Sequence, residues 1–283
     1  MDPATTDPAP DAATDPARSR TAGAIAASGS ASAEDAVADP DRTSTKDAVA
    51  DPSRGLATDA IGDPVTAPKM DDGAADPAWA ASSDGRRDQV RSVPWRQGWW
   101  LNRPPHVAIS RGRLVVRAAR GSDAWRTTSY GFIRDSAHAL LSDCPDGWAV
   151  QVSFLADFDR QFDQAGILVR IDERRWVKAG VEFCDGFLQA SAVVTDDVSD
   201  WSVAWAPDWV GSEITVRVSR SGDALTFRIR REDEPWRLLR LAPIDPDAVA
   251  YAGPYCAAPE RDGLTVSFTR WAAGPADERL HGD

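Results

Sequence analysis

From residue 105 onward, apolar and polar side chains alternate one by one. Val150, Val152, Phe154 and Ala156 interleave with Gln151, Ser153, Leu155 and Asp157. Ala165, Ile167, Val169 and Ile171 interleave with Gln164, Gly166, Leu168 and Arg170, and Val177, Ala179, Val181 and Phe183 with Trp176, Lys178, Gly180 and Glu182. Ala190, Ala192 and Val194 continue the pattern. Ile214, Val216 and Val218 then face Leu225, Phe227 and Ile229 across a Ser221-Gly222 turn, and Leu264, Val266 and Phe268 make a last strand. A period of two belongs to strands, whose successive side chains point to opposite faces. No segment carries a helical period, so the pattern predicts an all-β antiparallel sandwich or barrel.

Turn chemistry sets the register. Asp185-Gly186 is a two-residue hairpin signal, and it places Glu182 opposite Gln189, Gly180 opposite Ser191, Lys178 opposite Val193 and Trp176 opposite Thr195. In the hairpin before it, apolar residues stay on one face only with a three-residue loop, Asp172-Glu173-Arg174. That loop sets Gln164 beside Glu182, Gly166 beside Gly180, Leu168 beside Lys178 and Arg170 beside Trp176. The same rule pairs Asp157 with Gln164 across a loop at 158–163. One face is then uniformly apolar. The other carries a Gly166–Gly180–Ser191 row, which reads as an open trough between Glu182 and Lys178, roughly 13 Å apart along the strand.

Composition divides the chain. Residues 1–88 hold 17 acidic and 8 basic residues, seven Asp-Pro steps and one of the twelve tryptophans. Such a segment has too little apolar surface to offset its ordering entropy and is expected to be disordered. Residues 89–283 are long enough for one sandwich with a real core. The net charge of −12 argues against nucleic acid or an anionic membrane as a partner. No apolar run approaches the roughly 20 residues of a membrane helix, and the N-terminus lacks the basic start and apolar stretch of a secretory signal. Cys144, Cys184 and Cys256 are odd in number and lack metal-ligand spacing, which points to reduced core thiols in a cytoplasmic protein. Lys178 is the one lysine after residue 69, in a chain with 29 arginines.

The stretches WWLNRPP (99–105), SDAWRTTSYGFIRDSAH (122–138), FDQAGILVR (162–170), WVKAGVEF (176–183), VVTDDVSDWS (193–202) and PYCAAPERDGLTVSF (254–268) resemble a bacterial and fungal family of unknown function that includes the fungal regulator of enolase. The resemblance implies a concanavalin A-like jelly roll of two antiparallel sheets, with the DQAG and WVKAGVE strands on the concave face. The chain is also similar to the accessory sandwich behind the catalytic domain of some β-xylosidases. It departs from the family pattern at Ala137 and at Asp197-Val198, where glycines are expected.

Charged residues in mid-strand are disfavoured unless paired or functional, which singles out Lys178 and Glu182. Gln164, Lys178, Glu182 and Gln189, with Trp125, Trp176, Asp200 and Trp201, are the candidate ligand-binding set. The function this implies is a non-catalytic module taking a carbohydrate or small polar ligand. A carbohydrate-active enzyme using Glu182 with Asp157 or Lys178 is the alternative. Asp157 would sit about 9.6 Å from Glu182 by strand spacing, near the separation of inverting glycosidases. A protein-partner regulatory role is the third reading. His138 has no Ser or Cys partner at an identifiable spacing and reads as structural. No phosphate loop, metal cluster or cofactor motif is evident.

Overall fold

A computed structural model describes residues 90–281; the segment expected to be disordered, 1–88, lies outside the described residues. In chain order the strands are β1 (Arg91–Ser92), β2 (Trp99–Leu101), β3 (His106–Ser110), β4 (Arg113–Arg117), β5 (Ala124–Arg126), β6 (Ile133–Asp135), β7 (His138–Asp143), β8 (Trp148–Leu155) and β9 (Gln164–Arg170). They continue as β10 (Arg175–Cys184), β11 (Phe187–Asp196), β12 (Val198–Trp205), β13 (Glu213–Ser221), β14 (Ala224–Arg231), β15 (Arg237–Pro243), β16 (Tyr251–Ala257) and β17 (Thr265–Pro275). Two short 3-10 turns, Trp95–Gln97 and Pro207–Trp209, complete the list.

The strands form two large antiparallel sheets and one small hairpin. One sheet runs β15-β14-β13-β8-β17-β4-β3, with β1 also on β17; the other runs β12-β11-β10-β9-β16-β7-β2. β5 and β6 pair only with each other. Between the sheets lie the alternating apolar residues read from the sequence: Val150, Val152 and Phe154 from one side, Ile167, Val169, Ala179 and Val181 from the other, all 0% exposed. Alternation thus marks the inner faces of the jelly-roll sandwich that the family resemblance implies, and their burial closes it.

The register of β9, β10 and β11 is the one the turns dictate. Glu182 opposes Gln189 and Gln164, Gly180 opposes Ser191 and Gly166, and Lys178 opposes Val193 and Leu168. Asp185 and Gly186 both have positive φ, 54° and 85°, as a type I′ turn requires. Asp197, where the family pattern has a glycine turn, takes φ 61°, a left-handed conformation that Asp tolerates better than most residues. The β13–β14 turn falls one residue later than expected, because Ser221 pairs with Ala224 and leaves Gly222-Asp223 as the loop.

Two expectations fail. β8 is not the neighbour of β9. It pairs with β13 and β17 in the opposite sheet, and β9 has β16 on that flank, with Ala257 opposite Gln164. The 156–163 segment crosses between sheets instead of turning back. Phe158, 2% exposed, stacks on Phe154 in the core, and Arg261 clamps Asp163. Nor is the glycine row bare for the sake of an opening. A Cβ on Gly180 would lie 2.1 Å from the Ala165 carbonyl oxygen and 2.7 Å from the Gly166 Cα. A Cβ on Gly166 would lie 2.1 Å from the Ala179 oxygen. The two glycines face each other because the β9 and β10 backbones approach too closely there for any side chain.

Candidate functional site

The outer face of the β9–β10–β11 sheet is covered at one end by the 122–138 segment. Four contacts fasten it down. Lys178 Nζ donates to Asp123 Oδ1 at 3.2 Å. Arg170 donates two parallel bonds to the Asp135 carboxylate, at 2.8 and 2.7 Å. The Arg126 backbone N–H donates to Ser199 Oγ, and its guanidinium to the Asp197 carbonyl. Beneath this cover lies a second, smaller apolar cluster that includes Trp125, Leu168, Trp176, Val193, Tyr251 and Tyr255.

Beside the cover opens a cleft of about 260 Å³. Its polar floor is Gln164, Lys178 and Glu182, with Asp123 and Arg134 at the side. Its walls are Trp125, Tyr130, Phe132, Phe162, Val193 and Trp201, and Pro259 and Glu260 form the rim. The aromatic wall is interlocked. Trp125 meets Tyr130 edge-on at 5.4 Å and Trp201 edge-on at 6.3 Å, and Tyr130 stacks on Phe132 at 5.5 Å. Arg134 lies over the Phe132 ring at 4.3 Å, a cation–π contact.

Lys178 and Glu182 are buried, 4% and 6% exposed, so each needs partners. The Lys178 amine also donates to Gln164 Oε1 at 2.8 Å, and Gln164 Nε2 donates to the Phe162 carbonyl. The Trp201 indole N–H donates to Ser191 Oγ at 3.1 Å, and Ser191 donates to Glu182 Oε2 at 2.9 Å. Burial pushes the Glu182 carboxyl above the ordinary carboxylate range, and the Asp123 charge adds to the rise. The Lys178 charge and the Ser191 and Trp201 hydrogen bonds oppose it. Tyr255, on β16 two strands away from Glu182, is raised well above the ordinary phenol value, first by burial and then by the charges of Glu182 and Asp123.

Of the sequence-predicted residues, Gln164, Lys178, Glu182, Trp125 and Trp201 come together in this cleft. Four do not. Asp157 is exposed beyond the end of β8, in the other sheet, so its expected pairing with Glu182 has no geometry. Trp176 is 1% exposed and packs wholly within the small cluster. Gln189 lies opposite Glu182, but its amide is used by the Cys184 carbonyl at 3.0 Å. Asp200 alternates with Trp201 on β12, so it projects to the other face, where it pairs with Arg240 at 2.7 Å. His138 is structural: Nε2 accepts the Ala119 N–H and Nδ1 donates to the Asn102 carbonyl. Both nitrogens are occupied by backbone, and burial lowers its value.

Sequence reasoning passed over Asp123, Tyr130, Phe132 and Arg134, and took Ser191 only as part of the trough floor. The first four lie within SDAWRTTSYGFIRDSAH, and the density of aromatic and charged residues in that loop-rich stretch was the available signal. Among the described residues no group of His, Cys, Asp or Glu is arranged to hold a metal ion. No helix among them is long and apolar enough to cross a membrane. Cys144, Cys184 and Cys256 are free and buried.

The fold and the cleft define a concanavalin A-like sandwich with a polar-floored, aromatic-walled recess on the outer face of one sheet. The chain belongs to the family described as "Protein of unknown function (DUF1349)", whose model matches residues 100–276. It is 37% identical over 194 residues to "Regulation of enolase protein 1" of Saccharomyces cerevisiae, a match that covers 68% of this chain and 98% of that protein. The solved structure of a functionally unknown protein from Saccharomyces cerevisiae superposes with a TM-score of 0.62 at 35% identity, covering 65% of this chain and 100% of that one. The GH43 protein BlXynB from Bacillus licheniformis superposes at 0.50 with 10% identity, over 61% of this chain and 35% of its own. That last likeness is one of fold.

Proposed function

We propose that the protein is a non-catalytic binding module whose cleft takes a carbohydrate or small polar ligand. The observation that carries this is the meeting, in one recess, of buried hydrogen-bonding groups (Lys178, Gln164, Glu182) with the aromatic faces of Trp125, Trp201 and Tyr130. A sugar ring presents hydroxyls at its edge and C–H groups on its faces, and this recess offers partners for both. Lys178 and Glu182 are held by neighbours before any ligand arrives, so the site is pre-organised.

A glycan array combined with thermal-shift screening tests this. A sugar present at about 100 times its Kd should stabilise the protein by about 2.7 kcal/mol. Absence of both array signal and thermal shift across neutral and acidic glycans would overturn it.

An enzyme acting through Glu182 and Lys178 is the alternative chemistry for the same recess, because a carboxyl raised by burial suits a general acid. Release of reducing ends from the array's tightest ligand would favour that alternative. The name of the yeast relative supports a third reading, a regulatory module with a protein partner.

A further inference from the structure

The aromatic surface of this sheet does not end at the cleft. β12 is the edge strand. Its residues Trp201, Val203 and Trp205 oppose Val193, Ser191 and Gln189, which in turn oppose Lys178, Gly180 and Glu182. Directly opposed residues of an antiparallel pair project to the same face. The three β12 side chains therefore continue the cleft face outward to the sheet edge.

Trp201 is cleft wall. Trp205 lies four residues farther along the same strand, roughly 13 Å away, outside the cleft and 68% exposed. Its ring is backed by Phe187, which follows the Asp185-Gly186 turn, with centroids 4.5 Å apart and planes inclined by 38°. Val203, also exposed, lies between the two tryptophans. Scattered exposed apolar residues are ordinary. A tryptophan steadied by a second ring, on the same strand face as a cleft tryptophan, is an arranged surface instead. The cleft, about 260 Å³, is small against the roughly 300–1,000 Å³ of pockets that enclose drug-sized ligands. A ligand longer than a ring or so must leave it, and β12 offers an aromatic path outward.

We infer that Trp205 and Phe187 form a second, outlying stacking platform, and that the ligand is a linear oligosaccharide running from Trp201 to Trp205 rather than a single sugar. This rests on the carbohydrate reading of the cleft.

The test is calorimetric titration of the full chain with a length series, monosaccharide upward, of xylan, glucan and mannan oligosaccharides. Affinity should rise with length until the sugar reaches the platform. Trp205→Ala should abolish that rise, weakening the longest ligand about tenfold, a change of about 1.4 kcal/mol, while monosaccharide binding stays as in the parent. Trp205→Tyr, which keeps a ring, should restore most of the loss. A parent affinity independent of length, or an unaltered length dependence in Trp205→Ala, would overturn the inference and leave the cleft reading standing. If no sugar of the series binds the parent, the carbohydrate reading fails and the platform with it. Phe187 and Trp205 would then be the place to look for a protein contact.

Discussion

At the scale of single residues, Lys178 and Glu182 carry the most weight. Lys178 ties the sheet to its cover through Asp123 and holds Gln164 in place. Lys178→Met would leave the Asp123 carboxylate with only Arg134, at 3.9 Å, as a cationic partner, and Glu182 without the nearby positive charge. Breaking a buried pair from one side costs about 3–5 kcal/mol, so thermal denaturation should show a clear fall in Tm. A Tm equal to the parent's would mean the network contributes no stability. Glu182 behaves oppositely. Its carboxyl is raised in the folded state by burial, so folding favours the protonated form. The stability this group contributes is complete below the ordinary carboxylate range and is lost as pH rises through the folded value. At neutral pH the isosteric Glu182→Gln should therefore be at least as stable as the parent. The gap should close as pH falls toward the ordinary carboxylate range, and a Tm-against-pH series reads this directly. A variant less stable at neutral pH than in acid, relative to the parent, would contradict it.

At the scale of elements, the β9–β10 pair shows what a sequence does and does not disclose. Alternation and the three-residue Asp172-Glu173-Arg174 loop set every pairing from Gln164–Glu182 to Arg170–Trp176, because a slip by one residue would put Val177, Ala179 and Val181 in water. Alternation fixes a face but not a partner strand. Both sheets present an apolar inner face, so β8 satisfies the same pattern in either one. The pairing of β8 with β13 and β17, the burial of Phe158 and the Arg261–Asp163 contact mark the crossing. The cover beside the cleft was least legible: its shape rests on long-range bonds such as Arg170–Asp135, which leave no local period. The glycine pair was legible as a gap but not as a cause. Gly180→Val is expected to force β9 and β10 apart and cost at least about 1–3 kcal/mol, measurable by urea denaturation. An unchanged midpoint would mean the strand spacing relaxes freely.

At the scale of the whole molecule, all-β class and core composition follow from one repeated pattern, with the apolar members of each strand closing against the other sheet. Cys144 after β7 and Cys256 in β16 lie in the core between the sheets and report on that closure, whereas Cys184, at the end of β10, is buried on the outer face beside Gln161. Burial pushes each of them up to about 12, so native reaction with a thiol reagent should be slow at neutral pH, and three equivalents should react on denaturation. Fast native labelling of Cys144 or Cys256 would show that the sandwich opens readily. The central claim is that the recess over Lys178 and Glu182 is a binding site. It is tested most directly by calorimetric titration of the tightest array glycan against the parent and Tyr130→Ala. Tyr130 is half-exposed and forms cleft wall without belonging to the buried network, so its removal should leave the Lys178–Glu182 network in place and lower Tm only by the loss of its ring contacts to Trp125 and Phe132. A ligand seated in the recess gives a Kd weakened about tenfold by the loss of that ring, and a Kd equal to the parent's contradicts the assignment.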